Sequence, residues 1–576
     1  MVTHAGDSGP RARVLPIIGW LRSYDRRYLR GDLAAGIAVT ALVVPKNLGY
    51  AGIANIPLQN GLYAAAAGAI VYALFCTSRQ ISTGPSSSLA AVAGGAVLAA
   101  GVAGGDAAEL VAAIALVTGL LFLLLAVFRL GRIAQFLSKA VVTGFLAGAA
   151  IDVTIGELPK LTGTEAEGTN AWKELSSWLG SLDAVHWTTV LVGVVSLVVI
   201  FGLRFVAPKV PGALVLVVGG LAASGIFDLG SHGVALVGDV PRGLPTPALP
   251  GIHVFEDHLA TILTAGFALL LIGFSQTAGD ARLFATRHRY RIDVNQESLA
   301  QGMANIAAGT FRGMPVSTSL SASSLNESAG ARTPVASLIT GGLVLLTLIV
   351  LAPVFSKLPK PVLAALIIDA VLMGMIDLPE LRRMYRVKRF DFFIAIAAII
   401  GVLSVGVLAG VVIGVALSLA WLVYVTTAPP IHLLAREPGT GVFRELGENP
   451  ADETIPGLAV VRLDAGLFFA TADALHDRLR EIAQSSDPPV RAVVLDFAGV
   501  DFIDSQGAAK LTEIKRLADG YGITVRLARV KAGVLRVLEA DGVVDALGAD
   551  HVHGNINQAV QAQLEASGTD SAHAPS

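Results

Sequence analysis

Charge is scarce in this chain. Lys, Arg, Asp and Glu together make up 15% of its 576 residues, against 53% hydrophobic residues, and the mean hydropathy is +0.66. A soluble core cannot hide that much apolar surface. Repeated runs of the roughly 20 apolar residues that one bilayer crossing needs point to a polytopic membrane protein. Cysteine is almost missing too, and the lone Cys76 excludes an intramolecular disulfide and any cysteine-clustered metal site. The net charge of -2 comes with no basic stripe of the kind that tracks phosphates, so no nucleic-acid partner is expected. The opening MVTHAGDSGPRARVLP lacks an apolar signal core, and no cleaved secretory peptide is expected. No Ser-His-Asp pattern, phosphate loop or metal cluster is present, which leaves an enzyme reading unsupported and implies no cofactor.

What is there divides in two. Up to about Ala428 the chain consists of spans and short connections, about fourteen apolar segments, several of them short or broken by Gly and Pro. After Ala428–Pro429–Pro430 the texture is mixed polar, with strand-like and helix-like periods. With the N-terminus placed inside, the inner connections collect Arg11, Arg13, Arg22, Arg26, Arg27, Arg30, Arg79, Arg129, Arg132, Lys139, Arg204, Lys209 and later clusters up to Arg389. The outer ones hold Lys160, Lys173, Arg242, Arg312, Lys357 and Lys360. About 22 against about 6 is a strong positive-inside asymmetry, and it places both termini in the cytoplasm of a multi-pass plasma (inner) membrane protein. The expected boundaries are 1–31 for a cytoplasmic N-terminal segment, 32–428 for the membrane domain, 429–457 for a linker, 458–565 for a soluble domain and 566–576 for a disordered tail.

A weak internal repeat marks the membrane part. ISTGPSSSLAA, Ile81 to Ala91, and RGMPVSTSLSASS, Arg312 to Ser324, each read as loop, serine cap and short helix beginning inside the membrane. Paired broken helices in two halves point to a transporter's binding site. A helix N-terminus carries unpaired N–H groups and a partial positive charge, and both favour an anion. Small residues also serve tight helix packing, which is the alternative for either run alone. Ser86, Ser87, Ser319 and Ser321 are the candidate hydroxyl donors. The run ALVVPKNLGYAG adds a puzzle, because Lys46 puts an ammonium group in the middle of an apolar span. A charged lysine at mid-bilayer costs about 3 kcal/mol on insertion scales, so a functional role is the default reading; snorkelling to the interface is the alternative.

These stretches resemble the sulfate permease (SulP) family of anion transporters. The matching runs are GDLAAGIAVTALVVPKNLGYAGI from Gly31, GLYAAAAGAIVYALFCTSRQISTGPSS from Gly61, NQESLAQGMANIAAG from Asn295 and GMPVSTSLSASSLNESAGARTP from Gly313. The resemblance implies an all-α polytopic membrane domain of about fourteen spans in a seven-plus-seven inverted repeat, with core and gate subdomains. It also implies an anion held between the N-termini of the third and tenth spans, an elevator-type movement and a homodimer. The C-terminal part resembles a cytoplasmic α/β STAS domain. There the loop that carries a phosphorylated second serine in anti-sigma factor antagonists reads Asp504–Ser505–Gln506–Gly507, so a phospho-switch is not expected and Ser505 reads as a helix cap.

The departures from the family pattern are concentrated at the expected site. Lys46 stands where relatives carry Gln or Glu, with the aromatic Tyr50 kept one turn later. The tenth-span Ser-Arg-Ser is Ser321–Ala322–Ser323, so the arginine is missing. The eighth-span acid is replaced by Gln276, while Asp280 lies one turn further on. Sodium-coupled bicarbonate relatives use an Asp and a Thr at those two positions. Two readings stay open: Lys46 attracts the anion in place of the lost arginine, or it pairs with Asp280 where sodium would sit. Either gives a sodium-independent carrier of sulfate, bicarbonate or a dicarboxylate, coupled to protons or exchanging anions. An anion channel, or a membrane-tethered sensor whose STAS domain binds a cytoplasmic protein, are the other classes. Asp152, Glu157, Asp369 and Asp377 remain unranked polar positions.

Overall fold

The computed structural model describes residues 15–568, apart from 23, 130–137, 167, 169, 208–209, 239–242 and 487. Arg11, Arg13, Arg132, Lys209 and Arg242 of the loop-charge pattern, and residues 569–576 of the expected tail, lie outside the described residues. The chain forms two compact units, 1–418 and 419–576.

In the first unit, α1 (Pro16–Arg22) precedes α2 (Leu29–Ile53) and α3 (Leu58–Phe75). An extended segment with β1 (Thr83–Gly84) leads into α4 (Ser87–Ala100), then α5 (Gly104–Val127), α6 (Lys139–Thr162), α7 (Ala171–Gly180), α8 (Trp187–Val206) and α9 (Gly212–Phe227). The order then recurs as α10 (Ile252–His288), α11 (Val294–Thr310), β2 (Ser317–Thr318), α12 (Leu320–Ser328) and α13 (Val335–Val350). The short α14 (Ala352–Phe355) is followed by α15 (Lys360–Met375), α16 (Leu378–Val387), α17 (Arg389–Val405) and α18 (Val407–Thr427). Among the described residues, eight helices are long and apolar enough to cross a membrane, and α4, α9 and α13 are shorter apolar helices.

Packing sorts these helices into two groups. α5 and α3 clasp α11, and α13 lies against α2 and α3; α6 holds α15 and α17, with α8 against α15. The groups meet where α2 and α4 touch α15. That contact is close because Gly49 and Gly52 present no side chain to Ile367, whose atoms lie 3.2 Å from where a Cβ would stand. The unit is not strictly all-helical. β1 and β2 pair antiparallel, Thr83 opposite Thr318 and Gly84 opposite Ser317. The expectation of an all-α membrane domain misses this ladder because two-residue strands leave no period in the sequence.

The second unit is an α/β domain. Its strands are β3 (Ile431–Arg436), β4 (Phe443–Glu445), β5 (Leu458–Leu463), β6 (Ala492–Asp496), β7 (Thr524–Ala528) and β8 (Val552–His553). Its helices are α19 (Ala472–Ser485), α20 (Ser505–Gly520), α21 (Ala532–Ala540), α22 (Val543–Leu547) and α23 (Ile556–Ala566). The sheet runs β4-β3-β5-β6-β7-β8, with β5 to β8 parallel and β3 antiparallel to both neighbours. β6 is buried at every position, as a central parallel strand should be. The sheet corrects one boundary. Residues 429–457, expected as a linker, contain β3 and β4, which the flanking Pro and Gly residues disguise as loop.

Candidate functional site

The two serine runs come together. Ser86 caps α4 by accepting from the Leu89 N–H, and Ser319 caps α12 by accepting from the Ala322 N–H. In each run the capping hydroxyl also meets the serine two residues on: Ser86 with Ser88 at 3.1 Å, Ser319 with Ser321 at 3.3 Å. The β1–β2 ladder faces the two caps, reinforced by Ser319 N–H donating to Ser82 O at 3.0 Å and Ser82 N–H donating to Ser323 Oγ at 2.9 Å. Two helix N-termini, each with unpaired N–H groups, are thereby brought to one place.

A cavity of about 410 Å³, including its mouth, opens at this place. Lys46 and Tyr50 of α2, Ser319 and Ser321 of α12, and Thr83 and Pro85 of the extended segment are among its lining residues. Four of the six candidate binding residues therefore share one cavity. Ser86 serves as the α4 cap, and Ser87 is buried in side-chain contact with the Tyr50 hydroxyl. Sequence reasoning missed Thr83 and Pro85, which carried no chemistry of their own; only the ladder puts them on the cavity wall.

The coupling pair is distributed differently from the expectation. Gln276 donates from Nε2 to Ser88 Oγ at 2.9 Å, and its Oε1 has no partner among the described residues. One turn along α10, Asp280 accepts from Thr318 Oγ1 at 2.8 Å. So α10 holds α4 through Ser88 and β2 through Thr318, and Asp280 is engaged by β2 rather than by Lys46. The charged groups acting on Lys46 are Asp369 of α15 and Arg204 of α8. Asp369 is 5% exposed; its Oδ2 accepts from Arg204 Nη2 at 3.1 Å, and its Oδ1 lies 2.8 Å from the same nitrogen as an ion-pair contact without a hydrogen bond. Helix periodicity puts Gln276 and Asp280 on one face, but it says nothing of which helix that face meets, and this is why the pairing with Lys46 fails.

Two further buried carboxylates fix the segments around the site. Glu297, fully buried at the start of α11, accepts from Thr77 N–H (2.7 Å) and Oγ1 (2.5 Å), Ser78 N–H (2.8 Å) and Oγ (3.0 Å), and the Tyr72 hydroxyl. It anchors the extended segment that leads to α4. Asp32, equally buried in α2, accepts from Arg332 N–H (2.7 Å), Thr333 N–H (3.1 Å), Thr333 Oγ1 (2.6 Å) and the Tyr24 hydroxyl (3.1 Å). It anchors the turn that follows α12, where Gly31 and Gly330 lie backbone to backbone and Gly330 has φ of +107°. Each short helix is thus held by one desolvated acid whose acceptor capacity is filled. Neither acid stood out in the sequence, although both lie inside the quoted motifs.

In the α/β unit, Asp504 is the cap of α20. It accepts from Gly507 N–H at 2.7 Å and from Phe469 N–H at 3.2 Å. This corrects the reading of Ser505 as a cap: Ser505 is the first helical residue. At the C-terminal ends of the parallel strands, the fully buried Asp496 accepts from Arg462 Nε (2.7 Å) and from Arg529 Nε (2.8 Å) and Nη2. Burial alone would raise this carboxyl, but the hydrogen bonds from Arg529 and Arg462 hold it below the usual carboxylate range. Among the described residues no group of three or more His, Cys, Asp or Glu could hold a metal ion.

Comparison with known proteins agrees with this architecture. Residues 29–398 match the sulfate permease family and residues 449–559 match the STAS domain. A probable sulfate transporter of Mycobacterium tuberculosis (strain CDC 1551 / Oshkosh) is 35% identical over 550 residues, covering 95% of this chain and 97% of that protein. The chloroplastic sulfate transporter 4.1 of Arabidopsis thaliana is 29% identical, covering 96% and 83%. In fold, the chain is similar to the murine solute carrier 26 family member A9 anion transporter in its inward-facing state. The TM-score is 0.87 at 22% identity, covering 97% of this chain and 96% of that one. The transmembrane domain of the cyanobacterial bicarbonate transporter BicA gives a TM-score of 0.58 at 20% identity, covering 69% and 98%.

Proposed function

Because the chain belongs to the sulfate permease family, we propose that it is a secondary active transporter of a small anion, binding it between the capped N-termini of α4 and α12. The observation that carries this reading is the β1–β2 ladder, which brings the start of α12 and the segment leading into α4 to one cavity that Lys46 also lines. Sulfate, bicarbonate and a small dicarboxylate are the substrate candidates, with sulfate first because relatives along the whole chain are called sulfate transporters. Ser319 and Ser321 supply hydroxyl donors, Lys46 the point charge that the missing arginine would have brought. Transport is sodium-independent and driven by protons or by exchange. Fourteen membrane segments result when α4 and α12 each count as one segment and the short α1, α7, α14 and α16 are set aside. The helix group holding the ladder slides against the α6–α8–α15–α17 group, in the inner membrane, with both termini cytoplasmic and a second copy as partner.

The test is labelled sulfate uptake into proteoliposomes without sodium, with and without an inward proton gradient. Saturable, gradient-stimulated uptake or counterflow supports the carrier. A large unitary current at the same protein density would favour a channel instead. Folded protein that moves none of sulfate, bicarbonate or succinate would remove the transport reading and leave the STAS domain as the functional part.

A further inference from the structure

An acid beside an anion cavity needs a reason. α15 is the helix of the second group that reaches α2 and α4, and Asp369 is its one acidic residue. Asp369 is not among the residues lining the cavity, yet it acts on Lys46 and on Tyr50, both of which are. Arg204 fixes it from the other side through both carboxylate oxygens. Lys46 forms no salt bridge among the described residues; α15 packs on its helix, with Ile367 against Gly49 and Gly52, and Asp369 and Arg204 are the charged groups near it.

We infer that Asp369 is a built-in competitor of the transported anion for Lys46, held in place by Arg204, so that anion binding and proton binding at Asp369 are linked. The inference rests on the transport reading above. While Asp369 is ionised, the trio Lys46, Arg204 and Asp369 carries one net positive charge. A proton on Asp369 raises it to two and frees the whole Lys46 field for the anion. Linkage is reciprocal, so an anion on Lys46 must equally favour the protonated acid. The charged groups that face Asp369 are Arg204 from α8 and Lys46 from α2, with Tyr50 of α2 the remaining titratable neighbour. α4 and α9, which also pack on α15, carry no ionisable side chain. On α6, Glu157 pairs with Lys160 and Lys139 with Glu380, while Asp152 has another acid, Glu174, as its charged neighbour.

The test is sulfate binding to the detergent-purified full chain by calorimetry at pH 8 and pH 6, a range over which sulfate keeps its charge. The wild type should bind about tenfold tighter at pH 6, within the range usual for coupled sites. Asp369→Asn should bind at pH 8 as tightly as the wild type does at pH 6, with little further response to acid. A purely structural role for Asp369 would weaken binding, not tighten it. Arg204→Gln should move the other way, weaker at pH 8 and with an enlarged pH ratio, and it carries the test if Asp369→Asn does not fold. Asp369→Asn with wild-type affinity and pH response, or Arg204→Gln with a wild-type pH ratio, would overturn the inference and leave the transport reading standing. Loss of the pH response in Asp280→Asn alone would also overturn it, placing the proton on α10. A wild type that binds neither sulfate, bicarbonate nor succinate at either pH overturns the transport reading and this inference together.

Discussion

A single half-buried lysine organises the site at the scale of residues. Lys46 interrupts an apolar helix, lines the cavity and answers to charges on two other helices. Replacing it by Gln keeps the volume and removes the charge. Hydrogen bonds to charged groups are worth about 1.5–3 kcal/mol, so Lys46→Gln should weaken sulfate binding about tenfold to a hundredfold while the melting temperature holds; titration of the purified variant checks it. Unchanged affinity would reduce Lys46 to a packed side chain. Glu297 should behave in the opposite manner. Glu297→Gln swaps an acceptor for a donor amid five donating groups and leaves at least one of them unpaired, at a cost of about 1–3 kcal/mol. The expected result is a lower melting temperature by fluorescence-detected size exclusion, with weaker anion binding following from the loosened α4 segment.

At the scale of elements, the serine caps, the half-helices and the parallel α/β unit were all legible, because capping and periodicity are local. Ser86 and Ser319 sit where a cap must sit, one residue before each helix begins. What was not legible is which helix meets which. Pairing with Asp280 is one of the two readings the sequence leaves open for Lys46; Asp280 is found at Thr318, while Asp369, an unranked acid in a late span, is the acid near Lys46. Contacts between residues hundreds of positions apart leave no mark on either segment alone. β3 and β4 were hidden for a related reason: short strands between Pro and Gly look like loop until a sheet receives them. The cap of α20 gives a prediction at this scale. Asp504→Ala removes acceptors for two backbone N–H groups and should cost the α/β unit about 1 kcal/mol or somewhat more, whereas Ser505→Ala should be nearly neutral. Hydrogen exchange of α20 in the full chain measures both; equal protection loss in the two variants would return the capping role to Ser505.

At the scale of the whole molecule, the two units answer to different conditions. The stability of the α/β unit depends on Asp496 staying ionised against Arg462 and Arg529. Folded Asp496 releases its proton more readily than an unfolded aspartate, whose value is about 3.9. The unfolded chain therefore binds more protons in acid, and this contribution is complete above about pH 4 and lost as the pH falls through the lower folded value. Exchange protection of β5, β6 and β7 should hold from neutral pH down to about 4 and then fall. Asp496→Asn should show weaker protection already at pH 7 and a flatter acid response; a steep, unaltered acid response in that variant would place the sensitivity elsewhere.

The two-residue ladder between Thr83–Gly84 and Ser317–Thr318 has a mechanical meaning. It is a rivet between the halves of the repeat, set on the wall of the cavity. Asn326 and Ser337, which donate to the carbonyls of Gln80 and Ile81, add further stitches from the second half to the same segment. A pore formed by drawing α4 and α12 apart would have to pull these buried bonds open in a medium with no water to replace them. Pincers joined at the tips cannot open. Under the transport reading proposed above, a cradle fastened this way is carried rather than opened, so that each passage of an anion requires the displacement of a whole body of helices, and the pace of transport is set by that body rather than by the ion.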